Sequence, residues 1–119
     1  MLSFHTGMRV FLALEPCDMR KSFDGLHGLV LDRLGEDPTS GALFVFANKR
    51  RNRLKIFLFD GSGAWVLAKR LERGTFNWPA APRDGERKIR LSQAALQMLL
   101  EGIDLERARP RRWHRKKAS

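Results

Sequence analysis

Six cations crowd the middle of this 119-residue chain: Lys49, Arg50 and Arg51 in a row, Arg53 and Lys55 alternating after them, and Arg70 further on. Guanidinium and ammonium groups grouped this way donate hydrogen bonds to phosphate oxygens, and the release of counterions from a polyanion drives the association. The chemistry they suggest is recognition of an anion, with nucleic acid as the leading partner, and no bond-making. Around them lie short apolar runs, GALFVFANKRRNRLKIFLFDGSGAWVLAKRLERGTFNWP over residues 41–79, which read as a sheet built to present positive charge.

Catalytic chemistry has little to stand on. The chain contains no glycine-rich phosphate loop, nucleophile elbow or His-Glu-x-x-His pattern. Asp18, Asp24 and Asp60 are the carboxylates that could converge on divalent ions for phosphodiester chemistry. Each has a local explanation instead, as helix cap, exposed helix position and turn residue. The three histidines, His5, His27 and His114, are scattered, and Cys17 is alone. The expectation is therefore a protein that is not an enzyme, with no metal, no cofactor and no internal disulfide.

Charge is unevenly spread. Residues 1–47 carry 4 Lys/Arg against 6 Asp/Glu, residues 48–90 carry 12 against 4, and residues 91–119 carry 7 against 3, within a net charge of +10. A lopsided distribution of this kind marks a polyanion-binding face better than general solubility does. The longest apolar run, residues 42–47, is far short of the roughly 20 residues that cross a bilayer. The start, MLSFHTGMRV, lacks a basic-then-apolar leader pattern. These features predict a soluble, cytoplasmic chain with no membrane partner, organised as a single domain over residues 1–106 followed by a basic tail.

Which elements position the cations follows from periodicity. Residues 8–14 (MRVFLAL) read as a buried strand ended by Pro16. A long helix over residues 18–34 follows, with Asp18 as its N-cap and Met19, Phe23, Leu26, Val30 and Leu34 as its apolar stripe. Residues 41–47 are apolar on both parities, as in a central strand covered on both faces. Strands over 53–59 and 64–71 flank the turn Asp60-Gly61-Ser62-Gly63, and 88–91 reads as a last short strand. Ser92 caps a short helix striped by Leu96, Leu99, Leu100 and Ile103 and closed by Gly102. The fold class expected is α+β: a mostly antiparallel sheet of about five strands, with the long helix on one face and the short C-terminal helix packed beside it.

A four-residue turn at 60–63 pairs Phe59 with Ala64, Leu58 with Trp65, Ile56 with Leu67, Lys55 with Ala68 and Arg53 with Arg70. One face then collects Leu54, Ile56, Leu58, Trp65 and Leu67 as core. The other collects Arg53, Lys55 and Arg70 at the end nearest Lys49-Arg50-Arg51. Like charges set opposite one another oppose strand pairing, so such a cluster makes sense when an anion neutralises it. Phe76 and Trp78, two apart, lie on one side of an extended segment as core aromatics or as a stacking platform, and with Trp65 they form a candidate partner-binding surface. Residues 107–119 (RARPRRWHRKKAS) read as a disordered arm that adds Arg111, Arg112, Arg115, Lys116 and Lys117 to the nucleic-acid contacts and offers Trp113 for stacking.

Four ordered strings resemble the TnpB accessory proteins encoded by the second reading frame of the insertion sequence 66 family of bacterial transposable elements. They are EPCDMRKSFDGL (15–26), SGALFVFANKRRNRLKI (40–56), KRLERGTFNWP (69–79) and LLEGIDLERARP (99–110). The resemblance implies a non-catalytic accessory protein for transposition, working beside a larger transposase that carries the acidic catalytic residues. Joined to the charge pattern, it gives three expectations. The first is binding to DNA, at the element ends or in the transposase–DNA complex, through the basic hairpin and tail. The second is an adaptor that docks on the transposase by its aromatic surface, and the third is an RNA-binding regulator.

Overall fold

The computed structural model describes residues 7–104 and 109–110, the last two and residues 103–104 by their backbone. Its sheet is built around β1 (Val10–Ala13) and β2 (Leu43–Ala47), all of whose residues are buried, as strands apolar on both parities must be. They run parallel, with Phe11 beside Phe44, and are linked by helix α1 (Phe23–Asp32). On the far side of β2 come β3 (Arg53–Phe59) and β4 (Ala64–Arg70), both antiparallel to their neighbours, while β5 (Lys88–Leu91) pairs antiparallel with β1. The sheet order is β4-β3-β2-β1-β5. After β5 come α2 (Gln93–Leu100) and a short ladder joining β6 (Ile103–Asp104) to β7 (Arg109–Pro110). An α+β fold with a mostly antiparallel, five-stranded sheet is what the sequence pattern predicts. The parallel β1–β2 pair makes the sheet mixed.

Two corrections concern the helices. The first helix is not long. Asp18, expected to cap it, accepts instead from the backbone N–H of Arg20 at 2.9 Å and from the Arg20 guanidinium at 2.7 Å, and Lys21 N–H closes a turn onto the Asp18 carbonyl. That local bonding competes with helix formation, so α1 starts after Ser22. At its other end Gly35, with φ 63°, reverses the chain, and Glu36 N–H reaches back to the Val30 carbonyl. Leu26, Val30 and Leu34 are buried as the stripe predicts, but Phe23 is 50% exposed.

Nor is the second helix beside the first. Leu26, Val30 and Leu34 of the α1 region pack with Phe11, Phe44, Phe46 and Phe57 on one face of the sheet. Leu96 and Leu99 of α2 pack with Leu12, Val45, Ile56 and Phe76 on the other. The two faces follow from strand alternation, and α2 opens as predicted, with Ser92 Oγ accepting from Ala95 N–H at 3.0 Å. Among the described residues no helix is long and apolar enough to cross a membrane.

Candidate nucleic-acid interface

The loop between β2 and β3 is organised by one side chain. Asn48 Oδ1 accepts from the N–H groups of Asn52 and Arg53, both at 3.1 Å, and its Nδ2 donates to Asn52 Oδ1 at 2.7 Å. Asparagine suits this task because its short amide mimics a backbone turn. Lys49 and Arg50 stand exposed at the tip. Arg51 turns the other way. It has φ 60°, the positive value that no other described non-glycine residue adopts, a conformation costing on the order of 1–2 kcal/mol.

What holds Arg51 there is a set of contacts distant in sequence. Its carbonyl accepts from Phe76 N–H at 2.7 Å, and its Nη2 donates to the Leu14 carbonyl at 3.1 Å. The guanidinium lies 5.2 Å from the centre of the Trp78 ring, and Trp78 Nε1 donates to the Ala13 carbonyl at 2.9 Å. Half-burial pushes the Arg51 pKa below its ordinary value, and buried Nη1 finds no acceptor among the described residues. Arg51 therefore ties the loop to the end of β1 and to the segment carrying Phe76 and Trp78, and its charge faces protein.

Beyond the loop the register is the one the turn length predicts. Arg53 stands opposite Arg70, Lys55 opposite Ala68 and Leu58 opposite Trp65. The odd positions of β3 face the α1 side, so Arg53, Lys55 and Arg70 gather there. They line a cleft of about 320 Å³ with Met19, Leu54, Ala68 and Lys69, and no carboxylate contributes to its wall. Arg53 and Arg70 are exposed and take part in no ion pair among the described residues. Lys55 is half-buried, its Nζ donating to the Lys21 carbonyl at 2.8 Å, which fixes one ammonium at the cleft wall. Two guanidinium forks above an anchored ammonium can take the oxygens of a phosphate and leave base edges unread.

Lys69 is the charged cleft residue that alternation misses. Its parity sends it to the α2 face, where Nζ donates to the Leu100 carbonyl at 2.8 Å, yet on an edge strand its stem still borders the cleft. Lys21 joins the site through its carbonyl, a role no sequence pattern signals.

The three aromatics do not share a surface. Phe76 is 2% exposed and belongs to the core. Trp78 is half-buried against Arg51. Trp65, expected in the core, is 42% exposed at the opposite end of β3, its Nε1 donating to Asp60 Oδ2 at 2.7 Å. Arg111, Arg112, Trp113, Arg115, Lys116 and Lys117 lie outside the described residues. Of the predicted tail the structure describes the backbone of Arg109–Pro110, paired with Ile103–Asp104.

Of the three carboxylates weighed for metal chemistry, Asp18 and Asp60 are occupied by hydrogen bonds. Hydrogen bonds from the Arg20 side chain and backbone hold Asp18 at a pKa of about 2. Those from Ser62, Trp65 and Gly63 hold Asp60 at about 2. Asp24 sits in the first turn of α1. No three His, Cys, Asp or Glu among the described residues are placed to hold a metal ion. Cys17 borders a separate cleft of about 180 Å³, and burial raises its thiol pKa, which disfavours the reactive thiolate.

Comparison with known proteins adds a family. The model of the IS66 Orf2-like proteins matches residues 8–110. Two uncharacterized proteins of Sinorhizobium fredii are similar to the chain. One, y4jC, is 37% identical over 103 residues, covering 87% of this chain and 86% of its own. The other, y4hO, is 39% identical over 104 residues, covering 87% and 88%. No solved structure matches.

Proposed function

Because the chain belongs to the IS66 Orf2-like family, we propose that it serves transposition of an insertion sequence as a non-catalytic accessory protein. In this reading it binds DNA, at the element ends or within the transposase–DNA complex. The observation that carries this is the unpaired cationic cleft. Arg53 and Arg70 are held opposite each other by the strand register, beside an anchored Lys55 and with no carboxylate in the wall. Folding gains nothing from a like-charge cross-strand pair, whereas a phosphate placed between the two groups relieves the repulsion. Lys49 and Arg50 extend the interface from the loop tip at the same end of β3, and the basic tail adds affinity without reading sequence. Arg51 takes no part in it, since its guanidinium is committed to Leu14 and Trp78.

The adaptor reading loses most of its surface, because Phe76 is buried and Trp78 is engaged. The test is to replace Lys49, Arg50 and Arg53 with glutamate, then to measure fluorescence-anisotropy binding to duplex DNA alongside transposase co-purification. DNA binding should weaken at least tenfold. Unchanged DNA binding with loss of the transposase would overturn the DNA reading in favour of the adaptor. A preference for single-stranded RNA over duplex DNA of equal length would favour the RNA-binding regulator.

A further inference from the structure

A second surface, independent of nucleic acid, lies along the outer edge of the sheet. In an antiparallel pair, alternate residues point their N–H and C=O groups at the partner strand. Asp60 N–H donates to the Gly63 carbonyl and Leu71 N–H to the Asn52 carbonyl. With the seven-residue register between them, this phase directs Trp65, Leu67 and Lys69 of β4 inward to β3. The main-chain groups of Ala64, Val66, Ala68 and Arg70 therefore point outward, where the sheet order puts no further strand among the described residues.

Native proteins blunt such an edge with proline, bulges, shortness or alternating charge. The other edge, β5, follows that rule: four residues long, it carries Lys88 and Arg90 at alternate positions. β4 does not. It is seven residues long, unbroken in register, free of proline and glycine, and uncharged from Ala64 to Ala68, with Trp65 exposed. Both of its charges, Lys69 and Arg70, fall at one end.

We propose that the β4 edge is an interface with β4 of a second copy of this chain, the two strands running antiparallel about a two-fold axis at Leu67. The pattern of β4, apolar from Ala64 to Ala68 and cationic at one end, complements its own reversal and so selects a second copy, and charge selects the register. A parallel copy would set cations on cations, whereas the antiparallel one puts them at opposite ends. Centring on Leu67 uses the whole strand, and the outward groups of Val66 and Ala68 meet, as do those of Ala64 and Arg70. On the α2 face Lys69 then stands opposite Trp65 of the second copy, the methylene stem of Lys69, whose Nζ is held by the Leu100 carbonyl, lying beside the indole ring, while Leu67 packs against its own equivalent. A register centred on Lys69 would oppose two lysines. Such a two-fold axis stands perpendicular to the sheet, so both Arg53–Lys55–Arg70 clusters open on the same side, with the two Arg70 residues roughly 20 Å apart.

The test uses the full chain without nucleic acid. Sedimentation equilibrium should give twice the 13.7 kDa of one chain at micromolar concentration. Ala68→Pro removes one outward N–H, leaves the β3 ladder intact, and should return the mass to that of one chain with an unchanged circular-dichroism spectrum. In a Cys17→Ser background, Leu67→Cys should form a disulfide dimer on mild oxidation, since residues facing at a non-hydrogen-bonded position are about 4.5 Å apart. Trp65→Cys and Lys69→Cys, each offset from its own equivalent, should not. A single-chain mass at every concentration, a dimer that survives Ala68→Pro, or cross-linking at 65 or 69 as fast as at 67 would each overturn the proposal.

Discussion

Arg51 and Arg53 are two residues apart, and the regions they enter use positive charge in opposite ways. Arg51 closes a node in which the loop, the end of β1 and the Phe76–Trp78 segment meet, its guanidinium bonded to Leu14 and stacked on Trp78. Arg53 enters a cleft where it meets Arg70 across the strands and no acid balances either. One arginine lowers the energy of the fold, while the other is tolerated by it. A cation that structure consumes cannot serve a ligand, and one that structure leaves unbalanced is available to one. A run of three basic residues in the sequence is thus two different things in space.

This contrast can be broken most forcefully at the node. Phe76→Ala should cost about 3–5 kcal/mol of stability in urea unfolding, the range for a buried phenylalanine, because Phe76 fills the core beneath the loop. A loss under 1 kcal/mol would return Phe76 to the surface. Arg51→Ala should cost about 2 kcal/mol, from the missing bond to a carbonyl and the missing stacking, with the positive φ left behind. Within the cleft the same measurement should run the other way. Arg53→Ala with Arg70→Ala should leave stability within about 0.5 kcal/mol of the parent or raise it slightly, since a repulsion is removed.

The smallest effect belongs to the other end of the hairpin. Asp60, with a pKa of about 2, lies below the ordinary carboxylate value, so its ionised form is the one the fold favours. Its contribution is present above pH of about 4 and fades as pH falls through 2. Asp60→Asn should therefore lower the thermal midpoint slightly at pH 6, the gap to the parent closing by pH 2, with a shift in Trp65 emission. A gap that stayed constant with pH would show that the Asp60 charge does not support the hairpin.

The hairpin was legible because its determinants are local. The Asp60-Gly61-Ser62-Gly63 turn fixes the loop length, alternation fixes the faces, and together they put Arg53 opposite Arg70 without knowledge of the rest. The strand at 88–91 and the Ser92 cap were legible for the same reason. What stayed hidden depends on partners far along the chain. The inward turn of Arg51 needs Leu14 and Trp78, and the choice between core and stacking platform for Phe76, settled as core, rests on Arg51 drawing its segment onto the sheet. The parallel pairing of β1 with β2 is marked only by the strand–helix–strand order and by apolar residues on both parities, which a central antiparallel strand shares. The late start of α1 came from two competing local bonds, where Asp18 accepts from Arg20 in place of capping a helix.

The central claim is that the cleft binds phosphate, and the salt dependence of duplex DNA binding tests it most directly. With the full chain, the slope of log affinity against log salt should become shallower by about 2 when Arg53 and Arg70 are both alanine, close to one unit for each phosphate no longer neutralised. Lys49 and Arg50, left in place, should preserve the remainder. Equal slopes for the parent and the double variant would show that Arg53 and Arg70 touch no phosphate, and would contradict the claim.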